Sequence, residues 1–206
     1  MSKSTSRRTE RGERTRQKIM ETATALFCDR GFSATSVDLI CREAKVVKTA
    51  LYWHFGSKAG LLSAIIDDIK TSWIDVIATE IAGKGDGVAR LDSMITAFKD
   101  IVRNRPHLLR VVDVVICESG SIDPEALESV RRLNRNTKAT IVKGFEDALG
   151  MPMARGEQLG HTITALLHGI HRHYVMYGDE LDLDLYFEDF KRTILGCVAD
   201  RLRSRG

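Results

Sequence analysis

The chain has 206 residues, 43% of them hydrophobic and 29% charged, with a formal charge of only +3; this is globular composition and excludes a disordered or collagen-like chain. Three prolines and 6% aromatic content favour an all-helical fold over a sandwich or barrel, which needs more turn residues and more β-branched alternation. No stretch approaches the roughly 20 apolar residues of a membrane helix, because the longest, Val111 to Cys117, is interrupted by Asp113.

In chain order, residues 1–12 are rich in Ser, Thr and Arg and are expected as a disordered basic arm. Arg7 and Arg8 precede no apolar segment, so no secretory signal is expected. Ile19, Ala23, Leu26 and Phe27 recur at helical steps and predict a first helix from Glu13 to Arg30, ended by Gly31. Thr35 is placed to cap a short second helix, with Asp38 three residues on and Val37, Ile40, Cys41 and Ala44 as its buried face. After Lys45-Val46-Val47 comes a third helix, Lys48 to Phe55. Gly56-Ser57 ends it, and Ser57 is placed to cap a longer fourth helix from Lys58 to about Ile81. Gly83-Lys84-Gly85-Asp86-Gly87 lacks the spacing of a phosphate loop and reads as a linker. Five more helices are expected, at about Val88–Arg103, Pro106–Glu118, Pro124–Leu149, Gly156–Tyr177 and Leu185–Arg203, making about nine. Asp123-Pro124 is a start signal, a capping carboxylate before Pro at the first helical position. Cys28, Cys41, Cys117 and Cys197 form no Cys-x-x-Cys pair and read as buried reduced thiols with a cytoplasmic address.

The small net charge is unevenly distributed. Residues 1–62 hold 12 Lys/Arg against 6 Asp/Glu, whereas residues 63–206 hold 19 against 22, so a +6 head joins a −3 body. Within the head, the second and third helices separated by a tight turn have the dimensions of a helix-turn-helix. Small Cys41 allows a close crossing, and Val46 and Leu51 are the apolar plugs that fix it. Lys48, Thr49, Tyr52, Trp53 and His54 are left available on the third helix. Lys donates to guanine or phosphate, the Thr methyl meets a thymine methyl, and aromatic polar tips reach phosphates. Phe55 reads as a core aromatic, and Trp53 is divided between stacking on sugar-phosphate and propping its neighbour.

The run from Gly31-Phe32 through Leu51-Tyr52-Trp53-His54-Phe55 to Ser57-Lys58 and Leu62 resembles the DNA-binding region of tetracycline-repressor (TetR) family regulators. The resemblance implies a three-helix DNA-binding domain over 13–62. A larger helical domain over 63–206 would bind a ligand and dimerise through the last two helices. It implies phosphate contacts from Thr35, Ser36, Tyr52, His54 and Lys58, and base reading by Lys48, Thr49 and Trp53. Two positions depart from the family pattern. Lys45 stands where Gly is common, implying a left-handed non-glycine residue, and Val47 stands where Ser or Thr usually caps the third helix.

In the body, Trp73, Met94, Phe98, His107, Phe145, His168, His171 and Tyr174 are candidates for lining an effector pocket, although an ordinary core explains the apolar ones as well. His161, His168 and His171 fall within about 80° of arc, while His173 points elsewhere. His161 and His168 are about 10 Å apart along the axis, so only His168 and His171 could chelate together, and two ligands make no metal site. No metal or cofactor is therefore assigned. The expected protein is a non-enzymatic, homodimeric regulator that binds a pseudo-palindromic double-stranded operator, most simply as a repressor released by a small molecule. The alternative is a helical metal-binding protein or enzyme using His168 and His171, for which no nucleophile-base pair is evident.

Overall fold

The computed structural model describes the backbone of residues 2–82, 87–120, 122, 124–149 and 153–203, and most of the side chains within those ranges. Among the described residues there are nine α-helices, a 3-10 turn and no strand: α1 (Ser2–Arg30), α2 (Val37–Ala44), α3 (Lys48–Phe55), α4 (Lys58–Ala82), α5 (Gly87–Asn104), α6 (Pro106–Cys117), α7 (Pro124–Leu149), α8 (Met153–Tyr177), the turn Gly178–Glu180, and α9 (Leu183–Arg203). The all-helical expectation holds, and α7 has the bounds its start and stop signals predict. The linker residues 83–86 and the capping Asp123 lie outside the described residues, as does Gly150-Met151-Pro152, whose glycine and proline read as a break between helices.

One expectation is corrected at the N-terminus. Residues 2–12, expected to be disordered, continue α1. Once the buried part of a helix is formed, each further residue adds a backbone hydrogen bond without a new nucleation cost. The basic segment contains no proline to stop it, and Arg16 pairs with Glu13 one turn back at 3.4 Å.

The chain forms two compact units, Met1–Ile69 with His107–Leu133, and Lys70–Pro106 with Asn134–Gly206. In the first, α1 packs on α2 and α3. Ile19, Ala23, Phe27, Ile40, Ala44 and Leu51 are fully buried, as are Leu61 and Leu62 of α4, and Leu109, Val111 and Val115 of α6 are buried with them. Each such aliphatic or aromatic side chain contributes roughly 1.5–3 kcal/mol on removal from water. In the second unit α5 packs on α9, with the Phe98 and Phe187 rings 6.1 Å apart. Lys99 and Arg103 of α5 both reach Asp184 at 2.9 Å, and Lys191 of α9 pairs with Asp92. The two cations beside it hold the Asp184 carboxyl below its ordinary value.

No helix among the described residues is long and apolar enough to cross a membrane. Among the described cysteines one differs from expectation, and the side chain of Cys197 lies outside the described residues. Cys41 is buried and Cys28 half-buried, but Cys117, the last residue of α6, is exposed.

Candidate nucleic-acid interface

The cap of α2 is Ser36 rather than Thr35. Ser36 is extended, with φ −86° and ψ 154°, and its Oγ accepts from Leu39 N at 3.1 Å, as an N-cap hydroxyl does. Thr35 lies one residue too early and is fully buried. Its hydroxyl turns inward and donates to Gly31 O at 2.7 Å, satisfying a carbonyl that the end of α1 leaves without a helical partner. The Thr35 side chain is thus spent inside the loop, whereas Ser36 is exposed at the head of α2.

α2 ends on Lys45, which holds the left-handed conformation at φ 53° and ψ 46°. The Lys45 amide donates to Arg42 O at 3.1 Å and the Val46 amide to Cys41 O at 2.9 Å. Two amides reaching back into the last turn close a helix in this way, normally with glycine at the left-handed position. Val47 then starts α3 with no side-chain cap and is 68% exposed. Both departures noted in the sequence are therefore physical features of the turn.

α3 is anchored by Leu51, which is fully buried. At 100° per residue, Lys48, Thr49, Tyr52 and Trp53 share an arc of about 140° on the other side, and all four are exposed. Trp53 is 78% exposed, its ring meeting His54 edge-on at 4.5 Å. Lys48 Nζ lies 2.6 Å from Asp38 Oδ1, and that hydrogen bond holds the ammonium's pKa above its ordinary value. His54 and Phe55 are half-buried, so Phe55 is only partly the core residue expected; the Arg16 guanidinium lies 5.7 Å from its ring centre. The His54 imidazole is held below its ordinary pKa, first by partial burial and then by Arg16, with Glu13 pulling the other way.

Lys58 is placed differently from the outward-facing residue the motif suggests. Its ammonium donates to Phe32 O and Thr35 O, both at 2.9 Å, and sits 4.3 Å from the centre of the Phe32 ring. Burial lowers its pKa, opposed by the charge of Glu118. Glu118, just beyond α6, accepts from Phe32 N at 3.1 Å and from Ser33 N at 2.7 Å. Sequence reasoning passed over this carboxylate because its partners are 86 and 85 residues away. The one local trace of it is Gly31, where a Cβ would collide with Glu118 Oε1.

The effector candidates fall in both units. Met94 and Phe98 are buried on α5, and His171 is buried on α8 with His168 and Tyr174 half-buried; all belong to the second unit. His107 belongs to the first unit, is exposed, and accepts at its backbone oxygen from the Cys28 thiol at 3.3 Å. The side chains of Trp73 and Phe145 lie outside the described residues. Of the other histidines on α8, His161 has its Nε2 3.3 Å from Lys138 Nζ, and His173 has its Nδ1 3.3 Å from the Tyr186 hydroxyl. Among the described residues no group of three His, Cys, Asp or Glu could hold a metal ion, so nothing supports the metal-binding alternative.

A short helix held by one buried leucine, presenting lysine, threonine, tyrosine and tryptophan beside a serine-capped helix, defines a helix-turn-helix DNA-binding protein. Residues 19–65 match the family described as bacterial regulatory proteins, tetR family. The chain is 24% identical over 200 residues to the HTH-type transcriptional regulator SrpR of Pseudomonas putida, covering 94% of this chain and 78% of that one. It is 25% identical over 184 residues to the HTH-type transcriptional regulator TtgR, also of Pseudomonas putida, covering 84% and 86%. The fold is that of the MbdR regulator from Azoarcus sp. CIB, with a TM-score of 0.75 at 16% identity over 88% of this chain and 97% of that one. Residues 19–65 thus form a DNA-binding domain of the tetR family, and most of the chain is similar to HTH-type transcriptional regulators.

Proposed function

We propose that this regulator binds a pseudo-palindromic operator as a homodimer formed through α8 and α9, represses from it, and is released when a small molecule occupies the second unit. The observation that carries the reading is the exposed face of α3, with Lys48, Thr49, Tyr52 and Trp53 outward and Leu51 buried. Ser36, Tyr52 and His54 are the phosphate contacts, and Lys48, Thr49 and Trp53 meet base edges. One eight-residue helix reads few base pairs, and twofold symmetry doubles the contact. Support for the interface comes from apolar side chains left exposed on α8 and α9: Leu166, Val175, Met176, Tyr177 and Leu185.

The effector would contact Met94, Phe98, His168, His171 and Tyr174, the buried His171 imidazole supplying a polar contact beside apolar ones. Its occupancy shifts the population between body shapes and so the separation of the two reading helices. Half-site spacing is strict, and a coupling of about 1–3 kcal/mol changes affinity roughly 5- to 150-fold.

Selection of the full-length chain on random-sequence duplexes, followed by titration of the winner, tests the reading. Enrichment of an inverted repeat is expected. Lys48→Ala should relax preference at one or two positions, while Tyr52→Ala weakens binding without changing which sequence wins. Failure to enrich any palindrome at moderate salt would sink the proposal.

A further inference from the structure

We propose that Glu118 and Lys58 clamp the Gly31–Thr35 loop from its two polar sides and act as positioning residues for the DNA-reading face, Lys58 serving this loop rather than a backbone phosphate. The inference rests on the operator-binding reading above.

The loop between α1 and α2 must satisfy backbone groups that neither helix can pair. Two of its donors go to one charge and two of its acceptors to the opposite one. Phe32 N–H and Ser33 N–H each take a separate oxygen of the Glu118 carboxylate, at 3.1 and 2.7 Å. Phe32 O and Thr35 O both accept from the Lys58 ammonium at 2.9 Å. An anion on the N–H side and a cation on the C=O side polarise the intervening peptide groups in the same sense, so each strengthens the other's bonds. Closure of the clamp requires the absence of a side chain at residue 31. Gly31 holds φ +86°, and a Cβ there would overlap the Glu118 oxygen that takes the Phe32 amide.

The clamp ends one residue before the N-cap. Ser36, which fixes the start of α2 through Leu39 N, follows Thr35 directly. α2 in turn carries Asp38, which holds Lys48 at 2.6 Å. Any shift of the loop is therefore passed to the start of α2 and to the lysine on the reading face. Two of the three ammonium protons of Lys58 are committed to carbonyls, and the ammonium itself sits over the Phe32 ring. Moving it to a phosphate would strip both carbonyls of a charge-assisted partner.

Glu118→Ala, Glu118→Gln and Lys58→Met in the full-length chain separate positioning from contact. Amide exchange in the free protein should speed up about tenfold or more at Phe32 and Ser33 in Glu118→Ala. Glu118→Gln keeps one acceptor oxygen and should retain protection at one of the two. Operator affinity should fall about tenfold in Glu118→Ala and in Lys58→Met, with the selected sequence unchanged. The slope of log affinity against log salt should also be unchanged in both variants, because neither side chain is a phosphate contact, and Glu118→Gln should restore part of the lost affinity. Unchanged exchange in Glu118→Ala, or a slope smaller by about one in Lys58→Met, overturns the proposal. If the unmodified chain selects no DNA, the operator reading fails and this inference with it; unchanged amide exchange alongside normal operator binding overturns this inference alone.

Discussion

Lys45 shows how a single residue can be wrong for its backbone and still be tolerated. A non-glycine residue at φ 53° costs about 1–3 kcal/mol, and Lys45 is exposed, so no packing offsets the strain. Lys45→Gly should stabilise the protein by about 1 kcal/mol, raising the melting temperature by roughly 2–4 °C; a lower midpoint by calorimetry would show that the lysine contributes something the strain conceals. Val47 already has the φ −83°, ψ 149° of an N-cap without the hydroxyl. His54 provides a pH handle at the same scale. Its folded pKa lies below the ordinary 6.5, so the unfolded chain takes up its proton first and the free protein loses stability as pH falls from 6.5 towards the lowered value. A neighbouring phosphate favours the protonated ring, so operator affinity should rise on acidification from about pH 7.5 to about 5.5. His54→Gln should flatten that rise, and an identical pH profile in the variant would remove His54 from the phosphate contacts.

At the scale of elements, α3 has eight residues, too few to persist alone in water, and depends on Leu51 and its neighbours for its existence. α6 is held against the end of α1 by paired contacts: Arg110 Nη2 donates to Cys28 O at 3.3 Å, and the Cys28 thiol donates to His107 O at 3.3 Å. Burial pushes the Cys28 pKa up to about 11, with Arg110 opposing and Asp29 adding to the rise. Only about one molecule in 10⁴ then carries the thiolate at pH 7. Alkylation followed by peptide mass spectrometry should label exposed Cys117 well before Cys28 or Cys41; equal rates would mean that α6 separates from α1 readily. Helix existence was legible in the sequence because the helices carry their own apolar periods and boundary signals, as with Pro124 at the start of α7. The exposed face of α3 was legible for the same reason, since buried Leu51 fixes which side points out. The assignment of Thr35 and Ser36 was not, because two adjacent hydroxyl residues satisfy the same local pattern and only the loop's unpaired carbonyl decides between them. Glu118 could not be read at all: its role arises from packing between segments distant in the chain.

For the molecule as a whole, the near-neutral charge of +3 conceals a division of labour. A +6 head is drawn to a polyanion, and an acidic remainder limits indiscriminate adhesion along it. The packing boundary does not coincide with this charge boundary. The DNA-reading unit takes in Met1–Ile69 and also His107–Leu133, so the segment that carries the reading helix is completed by residues encoded after α5. It follows that the head is not a cassette. A fragment ending at Ile69 lacks α6, the buried Leu109, Val112 and Val115, and the carboxylate that closes the α1–α2 loop. It should melt broadly and without cooperativity by circular dichroism, whereas the full chain melts sharply; a steep transition in the fragment would show that the first four helices suffice. Chimeras joining this DNA specificity to another regulator's sensor would therefore have to carry residues 107–133 across with the head, and recombination at the charge boundary alone would yield proteins that cannot hold their own reading surface.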